Sequence, residues 1–87
     1  MLRVSVMQES DQVVTLRVEG DVKGRWVAEL RRACEEVLSR DVRLILDLGA
    51  VSFVDLQGTA LFAALRRRHV DFANASSFIA EQLGGPQ

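Results

Sequence analysis

The side chains able to do chemistry are few and far apart. One histidine, His69, and one cysteine, Cys34, occur in 87 residues, so no paired-His or Cys/His set for a metal can be assembled. Ser52, Asp55 and His69 are the residue types of a nucleophilic triad, yet no G-x-S-x-G elbow presents the serine. No G-x-x-x-x-G-K-[ST] phosphate cradle is present. Arg66, Arg67, Arg68 and His69 form one basic run, which suits the last turn of a helix, where cations complement the dipole. Successive helical positions point in different directions, so these arginines do not converge on one ligand. The sequence therefore predicts no catalytic residue, no metal, no cofactor and no nucleic-acid partner.

Composition agrees. Formal net charge is −1, which gives no overall attraction to nucleic acid or anionic lipid. An apolar fraction of 48% suffices for a core, and 26% charged residues make an ordinary soluble surface. The lone cysteine excludes an internal disulfide framework and suits a reducing compartment. No stretch reaches the roughly 18–20 apolar residues of a membrane span, and the first ten residues lack a signal-peptide core. The expectation is a single cytoplasmic domain over residues 1–87 with no direct membrane insertion.

What remains is a surface, and residues 43–65, RLILDLGAVSFVDLQGTALFAAL, locate it. Leu44, Ile45, Leu46, Asp47 and Leu48 read as a strand buried on both faces of a parallel sheet, with Asp47 at its end. Val51, Phe53 and Val54 lead to a tight loop, Asp55-Leu56-Gln57-Gly58, and a helical pattern runs from Thr59 to Arg68. Strand, loop and helix N-terminus in that order put exposed amides at the carboxyl edge of a sheet, where open α/β sheets make their contacts.

The flanking elements follow from periodicity. Leu2, Val4 and Val6 alternate with polar residues as an edge strand, Glu9-Ser10-Asp11 turns, and Val13, Val14, Leu16 and Val18 return antiparallel until Gly20 stops them. After a connection over 21–24, a helix over 25–39 carries one apolar stripe: Trp26, Val27, Leu30, Ala33, Cys34, Val37 and Leu38. Trp26 reads as partly buried there, with an exposed interface anchor as its alternative, and Cys34 as a small core residue. Arg31–Glu35 and Arg32–Glu36 have i, i+4 spacing. Strand, helix and strand imply a right-handed crossover into the strand that begins near Val42. Residues 70–73 form a fourth strand, and Ser76 or Ser77 caps a last helix through Leu83, with Ile79 and Leu83 inward and Gly84-Gly85-Pro86 ending it. The fold class is α/β: a small, mixed, mostly parallel four-stranded sheet with three helices, in the order β-β-α-β-α-β-α.

Asp47-Leu48, then Val51-Ser52-Phe53-Val54-Asp55, then Gly58 opening a Leu/Ala-rich helix, resemble the core of a STAS domain, the module of bacterial anti-sigma factor antagonists and of sulfate-transporter tails. Val18-Glu19-Gly20-Asp21 is similar to that family's turn after its second strand, though Lys23 and Gly24 stand where an acidic cap is common. The resemblance spans nearly the whole chain. It implies a regulatory module that binds a protein, either a kinase-like anti-sigma factor or, as in STAS subunits of lipid-transport ABC systems, an ATPase. In the phosphorylated antagonists a serine or threonine precedes the glycine; here it is Gln57, which cannot accept phosphate. The module is expected to bind without that off-signal.

The partner-binding residues so implied are Asp55, Leu56, Gln57, Gly58 and Thr59. Asp55 reads first as an N-cap, a role compatible with shaping the loop for a partner. Gly58, unfavourable in a helix, implies close packing. Thr59 is the nearest hydroxyl and the one candidate for a substitute phosphosite. A homodimer is the remaining reading.

Overall fold

The apolar run at 44–48 sits inside the sheet. In the computed structural model, which describes residues 1–82, strands β1 (Leu2–Glu9), β2 (Val13–Val22), β3 (Arg43–Val54) and β4 (Asp71–Ala73) pair in the order β1-β2-β3-β4. The β1–β2 pair is antiparallel, and β2–β3 and β3–β4 are parallel. Helices α1 (Arg25–Leu38), α2 (Leu56–Arg67) and α3 (Ser77–Gln82) complete the expected α/β succession.

Strand order decides which face is covered. Both crossovers, β2-α1-β3 and β3-α2-β4, step the same way across the sheet. Right-handed crossovers then put α1 and α2 on one face, where they touch. Alternation shows the consequence: Leu44, Leu46 and Leu48 of β3 and Val14, Leu16 and Val18 of β2 are buried, while Ile45 and Thr15 are half-buried and Arg43 and Arg17 exposed. The strand is thus not buried evenly on both faces, contrary to its continuous apolar run.

Two sequence readings of strand ends are also corrected. Gly20 does not stop β2, which runs on to Val22. It takes φ +101°, a left-handed region that favours glycine, and a Cβ there would collide with the Met1 carbonyl. Asp47 is not terminal either, because β3 continues to Val54 and its 12 residues pair with the 10 of β2 through two register shifts. The Asp47 carboxylate accepts from the amide of Gly49 and from Asn74 Nδ2, both at 2.9 Å, so this buried polar group is satisfied.

On α1 the expected stripe faces the core, with Val27, Leu30, Cys34 and Val37 buried and Trp26, Ala33 and Leu38 half-buried. The anticipated Arg31–Glu35 and Arg32–Glu36 pairs are replaced by better-placed partners. Arg68 reaches Glu35 at 2.6 Å from the end of α2, Arg40 reaches Glu36 at 4.0 Å, and Arg32 turns to Glu29 at 3.9 Å. All are exposed and worth about 0.2–1 kcal/mol each.

Along α2, Gly58, Leu61, Phe62 and Leu65 form the buried stripe, and Phe62 meets Phe72 of β4 edge to face at 5.6 Å between centroids. His69 closes the helix with φ +68° and donates its amide to the Arg66 carbonyl at 2.9 Å. Ser76 Oγ accepts from the Ile79 amide at 3.2 Å and caps α3, whose Ile79 is buried. The expectations for Leu83, Gly84, Gly85 and Pro86 lie outside the described residues.

Candidate docking edge

The carboxyl ends of β2 and β3 lie side by side, Val22 opposite Val54, and from them the chain passes into α1 and α2. Asp55 joins the starts of the two helices. With extended backbone (φ −86°, ψ −176°) it is the N-cap of α2, and its Oδ1 accepts from the Gly58 amide at 2.7 Å. Its Oδ2 accepts from the amide of Gly24, the N-cap of α1, at 2.9 Å. Its own amide donates to the Val22 carbonyl at 3.0 Å. The amides of Gly24 and Gly58 hold the carboxyl below its ordinary value of 3.8, because the bonds they donate favour the ionised form.

With Asp55 as cap, α2 begins at Leu56, so Leu56, Gln57 and Gly58 are its first turn rather than a loop. That turn is a strong local constraint on side-chain direction. Leu56 projects outward and is 87% exposed, Gln57 is exposed, and Gly58 is buried. A Cβ on Gly58 would come within 2.7 Å of the Val22 carbonyl oxygen and 2.8 Å of Val54 Cγ1, which is why only glycine lets the helix approach the strand ends so closely. Thr59 is half-buried, and its amide and its Oγ1 both donate to the Asp55 carbonyl, at 2.9 and 3.1 Å.

The five residues expected to meet a partner thus share one short segment, but they divide in role. Asp55, Gly58 and Thr59 hold the turn, and Leu56 and Gln57 are presented by it. Beside Gln57 a groove of about 360 Å³ opens between α1 and α2, lined by Gly24, Val27, Ala28, Arg31, Gln57 and Ala60. The contribution of Gly24 and Arg31 was not legible in the sequence, since nothing local links residue 24 to residue 55. Lys23 joins the same edge with its Nζ 6.0 Å from the centre of the Phe53 ring, and the Arg25 guanidinium lies 4.7 Å over Trp26.

The other chemical candidates stay apart. Asp55 caps one end of α2 and His69 lies past the other, across 12 residues or about 18 Å of helix, so Ser52, Asp55 and His69 form no triad. Cys34 is fully buried, and burial, with Glu35 adding to it, pushes its thiol up to about 12. Among the described residues no group of three or more His, Cys, Asp or Glu side chains is placed to hold a metal, and no helix is long and apolar enough to cross a membrane.

Residues 5–81 match the family model described as "Mlab, STAS domain". The chain belongs to the STAS family. No curated protein matches it. A solved structure from Shewanella loihica PV-4, an uncharacterized protein of the DUF3478 family with a SpoIIAA-like fold, superposes with a TM-score of 0.60 at 10% identity, over 92% of this chain and 71% of that one. At that identity the likeness shows the fold alone, and the fold is the α/β arrangement of four strands and three helices described above. STAS domains are generally non-catalytic and generally work by touching other proteins. In this STAS module, the edge around Asp55 is the candidate surface for such contact.

Proposed function

We propose that this STAS module is a non-catalytic regulatory domain that docks the turn of Asp55, Leu56, Gln57, Gly58 and Thr59, with the adjoining face of α2, onto a protein partner. One observation carries the reading. A leucine 87% exposed stands on a turn fixed by both oxygens of Asp55, so its apolar surface is held in water in a fixed position. Preorganisation of this kind removes much of the ordering cost of association. In a cytoplasmic anti-sigma antagonist the partner is a kinase-like anti-sigma factor, and binding frees a sigma factor for transcription. Gln57 offers no hydroxyl, so this binding would not be reversed by phosphate at that position, and Thr59, whose hydroxyl donates to the Asp55 carbonyl, is the nearest candidate for a substitute phosphosite.

A second reading has its own support. The matching family model is described by the Mlab name rather than as a phosphorylated antagonist, and the glutamine before the glycine suits a permanently docked subunit. In that case the partner is the ATPase of an ABC lipid-transport system. Placing a photo-crosslinking residue at position 56 in cells and identifying the captured protein separates the two. An anti-sigma factor supports the first reading and an ABC ATPase the second. Capture of a second copy of this chain, with a mass that rises with concentration in sedimentation, supports the homodimer and overturns both.

A further inference from the structure

The cations of this fold are distributed unevenly between paired and unpaired. Arg17, Arg32, Arg40, Arg43 and Arg68 each have a carboxylate within 4.0 Å. Lys23, Arg25 and Arg31 have none among the described residues, and all three border the edge around Asp55. Lys23 precedes Gly24, whose amide is bonded to Asp55, Arg25 opens α1, and Arg31 lines the groove beside Gln57. The nearby acids offset them only in part: Glu29 faces Arg32, and the carboxylates of Asp55, bonded to two amides, and of Asp21, beside Phe53 in the sheet register, stand against the three cations. The Asp55 carboxylate sits at the N-termini of both α1 and α2 and answers their positive dipole ends, which leaves the three side-chain cations as the positive groups of this edge. Arg3, Arg66 and Arg67 also lack a carboxylate among the described residues, but they lie elsewhere, and Arg66 covers the Phe72 ring at 5.8 Å.

The edge thus carries three cations without an ion-pair partner among the described residues against two carboxylates, on a chain whose net charge is −1. The same strand-to-helix junction exposes two apolar side chains, Leu56 at 87% and Phe53 at 44%. We propose that the partner meets this edge with an acidic protein surface: carboxylates facing Lys23, Arg25 and Arg31 around an apolar pocket that takes Leu56. The proposal rests on the docking reading above and adds the charge of the partner. An apolar core within a rim of complementary charge is the usual anatomy of a specific interface, and the rim sets the encounter rate and excludes wrong partners. An anionic membrane would also be drawn to cations, but it would not require a single leucine on a rigid turn beside a side-chain-sized groove.

The test uses isotope-labelled protein and three amphipathic helical peptides with the same leucines, whose polar positions are all glutamate, all glutamine or all lysine. The glutamate peptide should shift the amides of Lys23, Gly24, Arg25, Arg31, Leu56 and Gln57, and the other two should bind about tenfold more weakly or not at all. The triple variant K23Q/R25Q/R31Q should lose about tenfold in affinity for the glutamate peptide, as three surface pairs imply. Raising salt from about 0.1 M to about 1 M cuts the screening length from about 10 Å to about 3 Å and should produce a similar loss. Equal binding of the glutamine peptide at the same amides overturns the acidic partner while leaving the docking edge in place. Shifts elsewhere, or none with any peptide, overturn the proposal, and crosslinking at position 56 then decides the docking reading separately. Tighter binding to phosphatidylglycerol vesicles than to the glutamate peptide, at these same amides, overturns it in favour of a lipid surface.

Discussion

Asp55 and Gly24 are 31 residues apart in sequence and 2.9 Å apart in space, through a bond from the glycine amide to the aspartate Oδ2. With the second bond, to Gly58, a single carboxylate ties the start of α1 to the start of α2. The docking edge is therefore one rigid unit rather than two loop ends. Asp55→Ala removes both bonds and is expected to lower the Tm by several degrees, while Asp55→Asn, which keeps one acceptor, should fall between. The carboxyl is held below 3.8, so its contribution is complete above that pH and disappears as pH falls through the lower folded value. Thermal melts from pH 7 downward should show the gap between wild type and Asp55→Ala narrowing below about pH 4. A gap independent of pH would contradict the clamp.

Gly58 tests packing rather than electrostatics. An alanine methyl would lie 2.7 Å from the Val22 carbonyl oxygen and 2.9 Å from Val22 Cγ1, so the first turn of α2 must move outward. Overpacking of this kind costs about 1–3 kcal/mol. Denaturant melts of Gly58→Ala should show that loss, although alanine is the better helix former. A gain in stability would mean that the glycine is there for another reason.

Gln57→Asp separates folding from binding. A carboxylate in the first turn of a helix is favourable by about 0.3–1 kcal/mol, so the variant should be as stable as wild type or slightly more so. The same charge set against an acidic partner should weaken association. Unchanged affinity in a stable variant would count against this face.

Cys34 supplies a control in the core. Its thiol is pushed up to about 12 by burial, so it should not react with Ellman's reagent in the folded protein at pH 8 and should react fully after denaturation. The raised value also means that stability is intact below the ordinary 9.0 and is lost as pH rises from there towards 12. Rapid labelling of the native protein would show that the α1 stripe is less well packed than described.

Much of this fold was legible in the residues alone. The element order, the stripe of Val27, Leu30, Cys34 and Val37, and the capping role of Asp55 follow from local pattern and are present in the structure. What failed did so where distant contacts outweigh local signals. Leu56-Gln57-Gly58 reads as a loop because glycine is a poor helix former, but the Asp55 cap and the close approach to Val22 and Val54 make it helical. Gly20 reads as a strand stop, but β2 continues past it. The run at 44–48 cannot reveal that both crossovers fall on one face, since that depends on strand order. Nor could the sequence predict that Glu35 would bond Arg68 rather than its neighbour at i−4.

Leu56 bears on the central claim most directly. Its side chain contributes almost nothing to the core, so Leu56→Ala should leave stability within about 0.5 kcal/mol of wild type. Titration calorimetry of wild type and Leu56→Ala against the partner captured through position 56 is the measurement. A docking edge centred on this leucine predicts at least a tenfold rise in Kd, about 1.4 kcal/mol, with the Tm unchanged. Equal affinity of the two proteins would contradict it.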